Sequence, residues 1–184
     1  MIMEELALHI LDIAQNSVRA GAKNIGIDIV CDNNDIIIEI SDDGCGMDEE
    51  MTNNIIDPFS TSRTTRKVGL GIPLFKESCE QSGGSLSINS TKGKGTKITA
   101  CYEKDNFNRP PLGNIGGTVS ALISCNQDIS FEFCFCTPKN SYSISTAELK
   151  EILNEIPVSN PEIAAFIEKD VNDGIQSVCM EDIL

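Results

Sequence analysis

The chain is short of positive charge, has a single histidine, and contains no apolar run near the ~18 residues a membrane helix requires. Each scarcity excludes something. Lys and Arg number 14 against 28 Asp and Glu, for a formal charge of −14 and a pI near 4.3. Every phosphate contact on a nucleic acid needs a cation, and a surface this acidic repels the polyanion at long range, so nucleic acid is excluded as a partner. The start, Met1-Ile2-Met3-Glu4-Glu5, lacks a signal peptide's basic head. With no membrane-length segment either, the expectation is a cytoplasmic protein with no membrane partner. None of the eight cysteines forms a Cys-x-x-Cys pair, so neither a zinc site nor a disulfide framework is indicated. Cys134-Phe135-Cys136 lies in an alternating stretch, where both thiols face one side of a strand. Reduced core or surface thiols are the plain reading, and a redox or metal-linked pair is the other.

What is present fits one medium domain, or one domain with a small appendage: 184 residues, 40% hydrophobic and 23% charged. Residues 4–20 read as a helix with Leu6, Ile10, Leu11 and Ile13 on an apolar side. Residues 25–30 and 36–40 alternate or run β-branched around Asp32-Asn33-Asn34-Asp35, a hairpin pattern. A short helix at 49–56 ends at Asp57-Pro58-Phe59, and the polar, basic stretch Ser60–Lys67 reads as a lid loop. A helix at 71–81 and a hairpin around Lys92-Gly93-Lys94-Gly95 complete the order α-β-β-α-lid-α-β-β. Asn, Pro and Gly then cluster, and a domain boundary is expected near residue 105. Beyond it come an apolar run over 118–124, a hairpin over 129–136 and 142–144, and two helices. The first helix opens with a capping box, Ser145-x-x-Glu148, and the second with Asn160-Pro161.

Three polar residues interrupt the first helix. At about 100° per residue, His9, Asp12 and Asn16 fall within an arc of roughly 60°. At about 1.5 Å rise per residue, Asp12 and Asn16 lie about 6 Å apart along the axis, so one can ligate Mg²⁺ while the other holds a water near it. His9 is about 10 Å from Asn16 on the same measure, too far to share that ion. Asp42 ends a strand ahead of Gly44 and Gly46, which let backbone approach a ligand closely. A carboxylate there can accept from adenine's exocyclic amine. Gly69-Leu70-Gly71 precedes a helix whose first amides can receive phosphate.

In this order, the motifs resemble the GHKL ATP-binding family of gyrase, heat-shock chaperones, histidine kinases and MutL. Asp12-Ile13-Ala14-Gln15-Asn16 is similar to its N box, and Asp42-Asp43-Gly44-Cys45-Gly46 to its first glycine box. Asp57-Pro58-Phe59 is similar to the F box, Val68-Gly69-Leu70-Gly71-Ile72 to the second glycine box, and Gly93-Lys94-Gly95-Thr96 to the late Gly-x-Gly-Thr. The resemblance covers about residues 4–102 and implies an α+β two-layer sandwich, the Bergerat ATP-binding fold, for residues 1–104; residues 105–184, marginal as an independent core, are expected as a small α/β C-terminal extension packed on that domain or on a partner. It implies ATP and Mg²⁺ as cofactors, Asn16 as the metal ligand and Asp42 as the adenine reader. Gly44, Gly46, Met47, Phe59, Arg63, Lys67, Gly69, Leu70, Gly71 and Thr96 join them as nucleotide-binding positions. Asp12 stands where relatives commonly carry a glutamate general base, and is one methylene shorter.

Sensor kinases of this family carry a dimerising hairpin with a phosphoacceptor histidine upstream, and only a few residues precede the N box here. A self-contained histidine kinase is therefore not expected. The tail, from Arg109-Pro110-Pro111 to Ser145-Thr146-Ala147-Glu148-Leu149, resembles that of small stand-alone ATP-binding proteins of anaerobic bacteria associated with iron-hydrogenase systems. Three activities are open. The first is an ATPase or ATP-driven switch, in which Arg63 and Lys67 of the lid meet the γ-phosphate and a protein partner reads the closure. The second is a trans-acting protein kinase of the anti-sigma-kinase kind, with Asp12 orienting the acceptor hydroxyl. The third is a non-catalytic nucleotide-binding interaction module. The oligomeric state is left open.

Overall fold

Isoleucine at alternate positions sets the centre of the fold. A strand turns successive side chains to opposite faces, so one face of each strand becomes continuously apolar. Ile25, Ile27 and Ile29 do this on β1 (Asn24–Cys31), and Ile36, Ile38 and Ile40 on β2 (Asp35–Asp42); all six are buried. The computed structural model describes residues 5–56, 70–154 and 156–182.

Asp32 closes the β1–β2 turn, its carboxylate accepting from the Asn34 and Asp35 amides at 2.8 and 2.7 Å. β2 also pairs antiparallel with β4 (Gly95–Glu103), and β4 with β3 (Ser85–Thr91). On the other flank β1 pairs in parallel with β5 (Ser130–Cys136), which pairs antiparallel with β6 (Ser141–Ser145). The result is one six-stranded mixed sheet in the order β3-β4-β2-β1-β5-β6.

The helices supply the second layer. α1 (Leu6–Arg19) buries Leu6, Ile10 and Ile13, and α3 (Gly71–Gln81) buries Ile72, Phe75 and Cys79; α2 (Glu49–Ile56) lies between them in sequence. The apolar run at 118–124 lies within α4 (Ile115–Cys125), which packs on α1 and on α6 (Pro161–Asp182). Ser145 caps α5 (Thr146–Leu153): its hydroxyl accepts from the Glu148 amide at 3.2 Å and donates to the Glu148 carboxylate at 3.1 Å. Asn160 accepts from the Glu162 amide at 2.8 Å at the start of α6, with Pro161 as its first residue.

Residues past 105 meet the earlier ones along the sheet and at the start of α1, among other contacts. Phe131, Phe133 and Phe135 join the isoleucine face, because β5 lies beside β1. The first amides of α1, which have no partner inside their own helix, donate to the Pro111 and Leu112 carbonyls at 2.9 Å each, Leu6 to the first and Ala7 to the second. Thr118 Oγ1 donates to the Ala7 carbonyl at 3.1 Å. The helix bearing Asp12 and Asn16 is thereby tied at its start to the segment that follows β4.

The opposite sheet face is polar. It carries Asp28 on β1, Glu39 and Ser41 on β2, Lys97 on β4, Cys134 and Cys136 on β5, and Ser141 and Ser143 on β6. Lys97 Nζ lies 2.6 Å from Glu39 Oε1.

Candidate functional site

α1 delivers three polar side chains toward different neighbours, because positions 12, 16 and 17 lie beside its apolar stripe. Asp12 reaches α3: a Cβ built on Gly71 collides with the Asp12 carboxylate, so any larger residue there would displace that side chain. Gly71 is the first residue of α3, and no side chain caps that helix end. Helix N-termini leave up to four amides without intrahelical partners. Here Pro73 contributes no donor and the Leu74 amide bonds the Leu70 carbonyl at 2.9 Å, and the Gly71 and Ile72 N–H groups have no hydrogen-bond partner among the described residues. Leu70, the N-cap residue, is exposed.

One turn further along α1, Asn16 is half-buried and its Oδ1 accepts from Arg19 Nη1 at 3.3 Å. Ser17, buried, donates its hydroxyl to Asp42 Oδ2 at 2.7 Å, and the Gly44 amide donates to Asp42 Oδ1 at 2.8 Å. The Asp42 carboxylate is thus fixed at the end of β2, on the face turned toward the helices, with one lone pair on each oxygen still free to accept. Sequence reasoning missed Ser17. Its signal was its place directly after Asn16, one turn and a third past Asp12 on the helix that faces the strand end.

The turn after Asp42 is held from both sides. Asp43 accepts from the Lys23 and Asn24 amides at 2.7 and 2.9 Å and from Asn24 Nδ2 at 2.6 Å. The Asn24 backbone bond, with Asn24's side chain and the Lys23 amide, holds its carboxyl below the usual carboxylate range. Gly46 has φ 58°, and a Cβ there would strike the Thr91 carbonyl. The Met47 amide donates to Ser90 Oγ at 2.8 Å, Ser90 Oγ lies 2.8 Å from Thr96 Oγ1, and the Gly93 amide donates to the Cys45 carbonyl at 2.7 Å. Thr96 is also the cross-strand partner of Asp42. Asp42, Gly44, Gly46, Met47 and Thr96 therefore share one locality, and Asp12, Leu70 and Gly71 another, with Asn16 on the helix between. Phe59, Arg63, Lys67 and Gly69 lie outside the described residues, as does the loop expected over 60–67.

His9 takes no part in this surface. It is 2% exposed, stacks on Phe75 at 5.0 Å between ring centroids, and neither ring nitrogen has a hydrogen-bond partner among the described residues. Burial lowers its pKa below the ordinary 6.5, against a smaller opposing effect of Asp12, so the imidazole is neutral at pH 7. Acid then protonates the unfolded chain first, and folded stability falls as pH drops through and below 6.5. His9→Leu is expected to be no less stable at pH 7, and to lose less stability than the native chain between pH 7 and 5. Urea unfolding at the two pH values checks this.

Comparison with known proteins completes the assignment. Residues 3–106 match the family model described as histidine kinase-, DNA gyrase B-, and HSP90-like ATPase. The chain belongs to this ATPase family. The sensor histidine kinase CitA of Klebsiella pneumoniae is 37% identical over 94 residues, which is 50% of this chain and 17% of that protein. The sensor protein SrrB of Staphylococcus aureus is 34% identical over 101 residues, 51% of this chain and 17% of that one. The chain thus spans about one sixth of the length of these curated relatives. Among solved structures, the N-terminal domain of a DNA repair protein superposes with a TM-score of 0.55 at 18% identity, over 79% of this chain and 53% of that chain. That likeness is one of fold: the six-stranded mixed sheet packed with helices is the α+β Bergerat architecture expected of the sequence. Membership of this ATPase family carries ATP as the expected ligand. No described helix is long and apolar enough to cross a membrane.

Proposed function

We propose that the chain binds Mg·ATP between α1, the turn after β2 and the start of α3, and hydrolyses it as a nucleotide-driven switch. The observation that carries this reading is the approach of Asp12 to Gly71. It sets a carboxylate beside a helix N-terminus whose first two amides have no partner among the described residues, where the partial positive charge of the helix favours phosphate. In this reading Asp42 accepts from adenine N6, held for that purpose by Ser17 and Gly44. The Gly71 and Ile72 amides receive phosphate oxygens, and Asp12 takes a proton from the attacking water. Gly46, Met47 and Thr96 wall the adenine end.

The donor set suits Mg²⁺. Among the described residues no group of three or more His, Cys, Asp or Glu could hold a metal ion, and Mg²⁺ at nucleotides takes few protein ligands, completing its shell with phosphates and water. Asn16 would hold it, and when bound it neutralises phosphate charge. Because α1 is bonded at its start to Pro111 and Leu112, nucleotide contact at Asp12 and Asn16 acts on a helix joined directly to the extension.

Ser17→Ala removes one of the two hydrogen bonds that orient Asp42, and is expected to weaken ATP about tenfold, the equivalent of about 1.4 kcal/mol. Titration with a fluorescent ATP analogue reads this. Similarity to sensor histidine kinases supports a second reading, in which Asp12 accepts a proton from a hydroxyl on another protein. Following the γ-phosphate of labelled ATP separates the readings. Free phosphate from the pure protein supports the ATPase. Label that moves to a distinct protein band in cell extract supports the kinase. ATP that binds and keeps its γ-phosphate in both settings leaves the non-catalytic module.

A further inference from the structure

We propose that Cys134 and Cys136 form a two-coordinate site for a soft monovalent cation, copper(I), on the sheet face turned away from the helices. The two thiols project from the same side of β5 and their sulfurs stand 3.2 Å apart. Both are half-buried, so an ion can reach them from solvent. The site lies on the opposite face of the sheet from Asp42 and α1, and rests on none of the nucleotide chemistry.

The strand's surroundings favour a bridging ion over a disulfide between the two cysteines. β5 is paired on both sides: Cys134 stands between Asp28 and Ser143, and Cys136 between Val30 and Ser141. Positions two apart on a strand are separated by about 6.6–6.8 Å, at the upper edge of the ~4.4–6.8 Å that a disulfide accepts. Closing a disulfide would pinch a strand that neighbours hold straight. A linear thiolate–metal–thiolate bridge with bonds of about 2.3 Å each on the zinc scale sets the sulfurs roughly 4.6 Å apart, wider than their present 3.2 Å separation, and rotation of the two side chains supplies the difference without pinching the strand.

The ligand count selects the ion. Among the described residues no third His, Cys, Asp or Glu completes a metal-binding group around the pair. A tetrahedral zinc site wants four N or S ligands, and Mg²⁺ or Ca²⁺ wants six or more oxygens. Copper(I) is satisfied by soft thiolates, and two suffice in a linear arrangement. The cross-strand neighbours of the pair on β6, Ser141 and Ser143, are small. Binding releases both thiol protons: one Cu⁺ and two thiols give a bis-thiolate complex of charge −1 and two H⁺. Affinity should accordingly rise with pH.

The test is an anaerobic competition for copper(I) between the reduced full chain and bathocuproine disulfonate. The native chain is expected to withdraw one equivalent per chain. Cys134→Ser and Cys136→Ser should each weaken binding on the order of 10²–10⁴-fold, because the second sulfur's effective concentration is lost. Cys45→Ser/Cys125→Ser, which removes the two exposed thiols, should bind as the native chain does. Circular dichroism confirms that each variant is folded. X-ray absorption on the native complex adds a readout that needs no variant, with two sulfur neighbours expected. Full binding by Cys134→Ser/Cys136→Ser, failure of the native chain to compete, or a copper shell of nitrogen and oxygen overturns the proposal.

Discussion

Asp12→Asn is expected to lower γ-phosphate release by about 10²–10⁴-fold, the usual contribution of a positioned general base, while the chain still binds ATP. The substitution keeps the side chain's size, so the close approach to Gly71 survives, and it removes only the ability to take a proton. It also removes a negative charge from beside the expected phosphate position, so ATP affinity should be unchanged or tighter. Steady-state phosphate release and an ATP titration on the same preparation give both quantities. The loss is expected whether the proton comes from water or from an acceptor hydroxyl. Unchanged turnover in the variant would remove Asp12 from the chemistry and leave its contact with α3 as a packing feature.

Phe135→Ala should cost about 3–5 kcal/mol of stability, the range for emptying a phenylalanine site in a packed core. Phe135 is fully buried on β5, on the same apolar face as Ile29 of β1, its register partner. Because that face is shared, the loss should appear in one cooperative transition that includes β1 and β2, with the denaturant midpoint lowered and the slope unchanged. Urea unfolding followed by far-ultraviolet circular dichroism measures it. Two separated transitions, with the one for residues 1–104 unmoved by the variant, would instead mean that the extension has a core of its own.

The strands were legible because alternation is a local property. Ile25-x-Ile27-x-Ile29 and Phe131-x-Phe133-x-Phe135 announce buried faces without any knowledge of their neighbours. That those two faces lie side by side was not legible. Parallel pairing of β1 with β5 joins residues more than a hundred positions apart, and nothing in either segment encodes the partner. The glycine motifs were readable one by one. The contact of the Gly71 backbone with the Asp12 carboxylate joins two different helices, and appears only when α1 and α3 are packed.

Helical periodicity also has a limit, seen in His9. It falls on the same arc as Asp12 and Asn16, yet Phe75 covers it while Asp12, one turn on, is left half-open. The arc defines a direction, and the neighbouring helix decides which part of it meets solvent. Ser17 shows the reverse case: a small hydroxyl not singled out from the sequence joins the Gly44 amide in fixing Asp42.

The central claim is that Asp42 makes this an adenine site, and calorimetric titration of Mg·ATP and Mg·GTP against the native chain and Asp42→Asn tests it most directly. The variant keeps an oxygen for the Gly44 amide and retains the shape of the turn, so the fold should persist. ATP should bind one per chain and GTP at least about tenfold more weakly, with Asp42→Asn losing about 10–150-fold toward ATP, the worth of one hydrogen bond to a charged group. Equal affinity for the two nucleotides, or an ATP affinity that Asp42→Asn leaves untouched, would contradict the account.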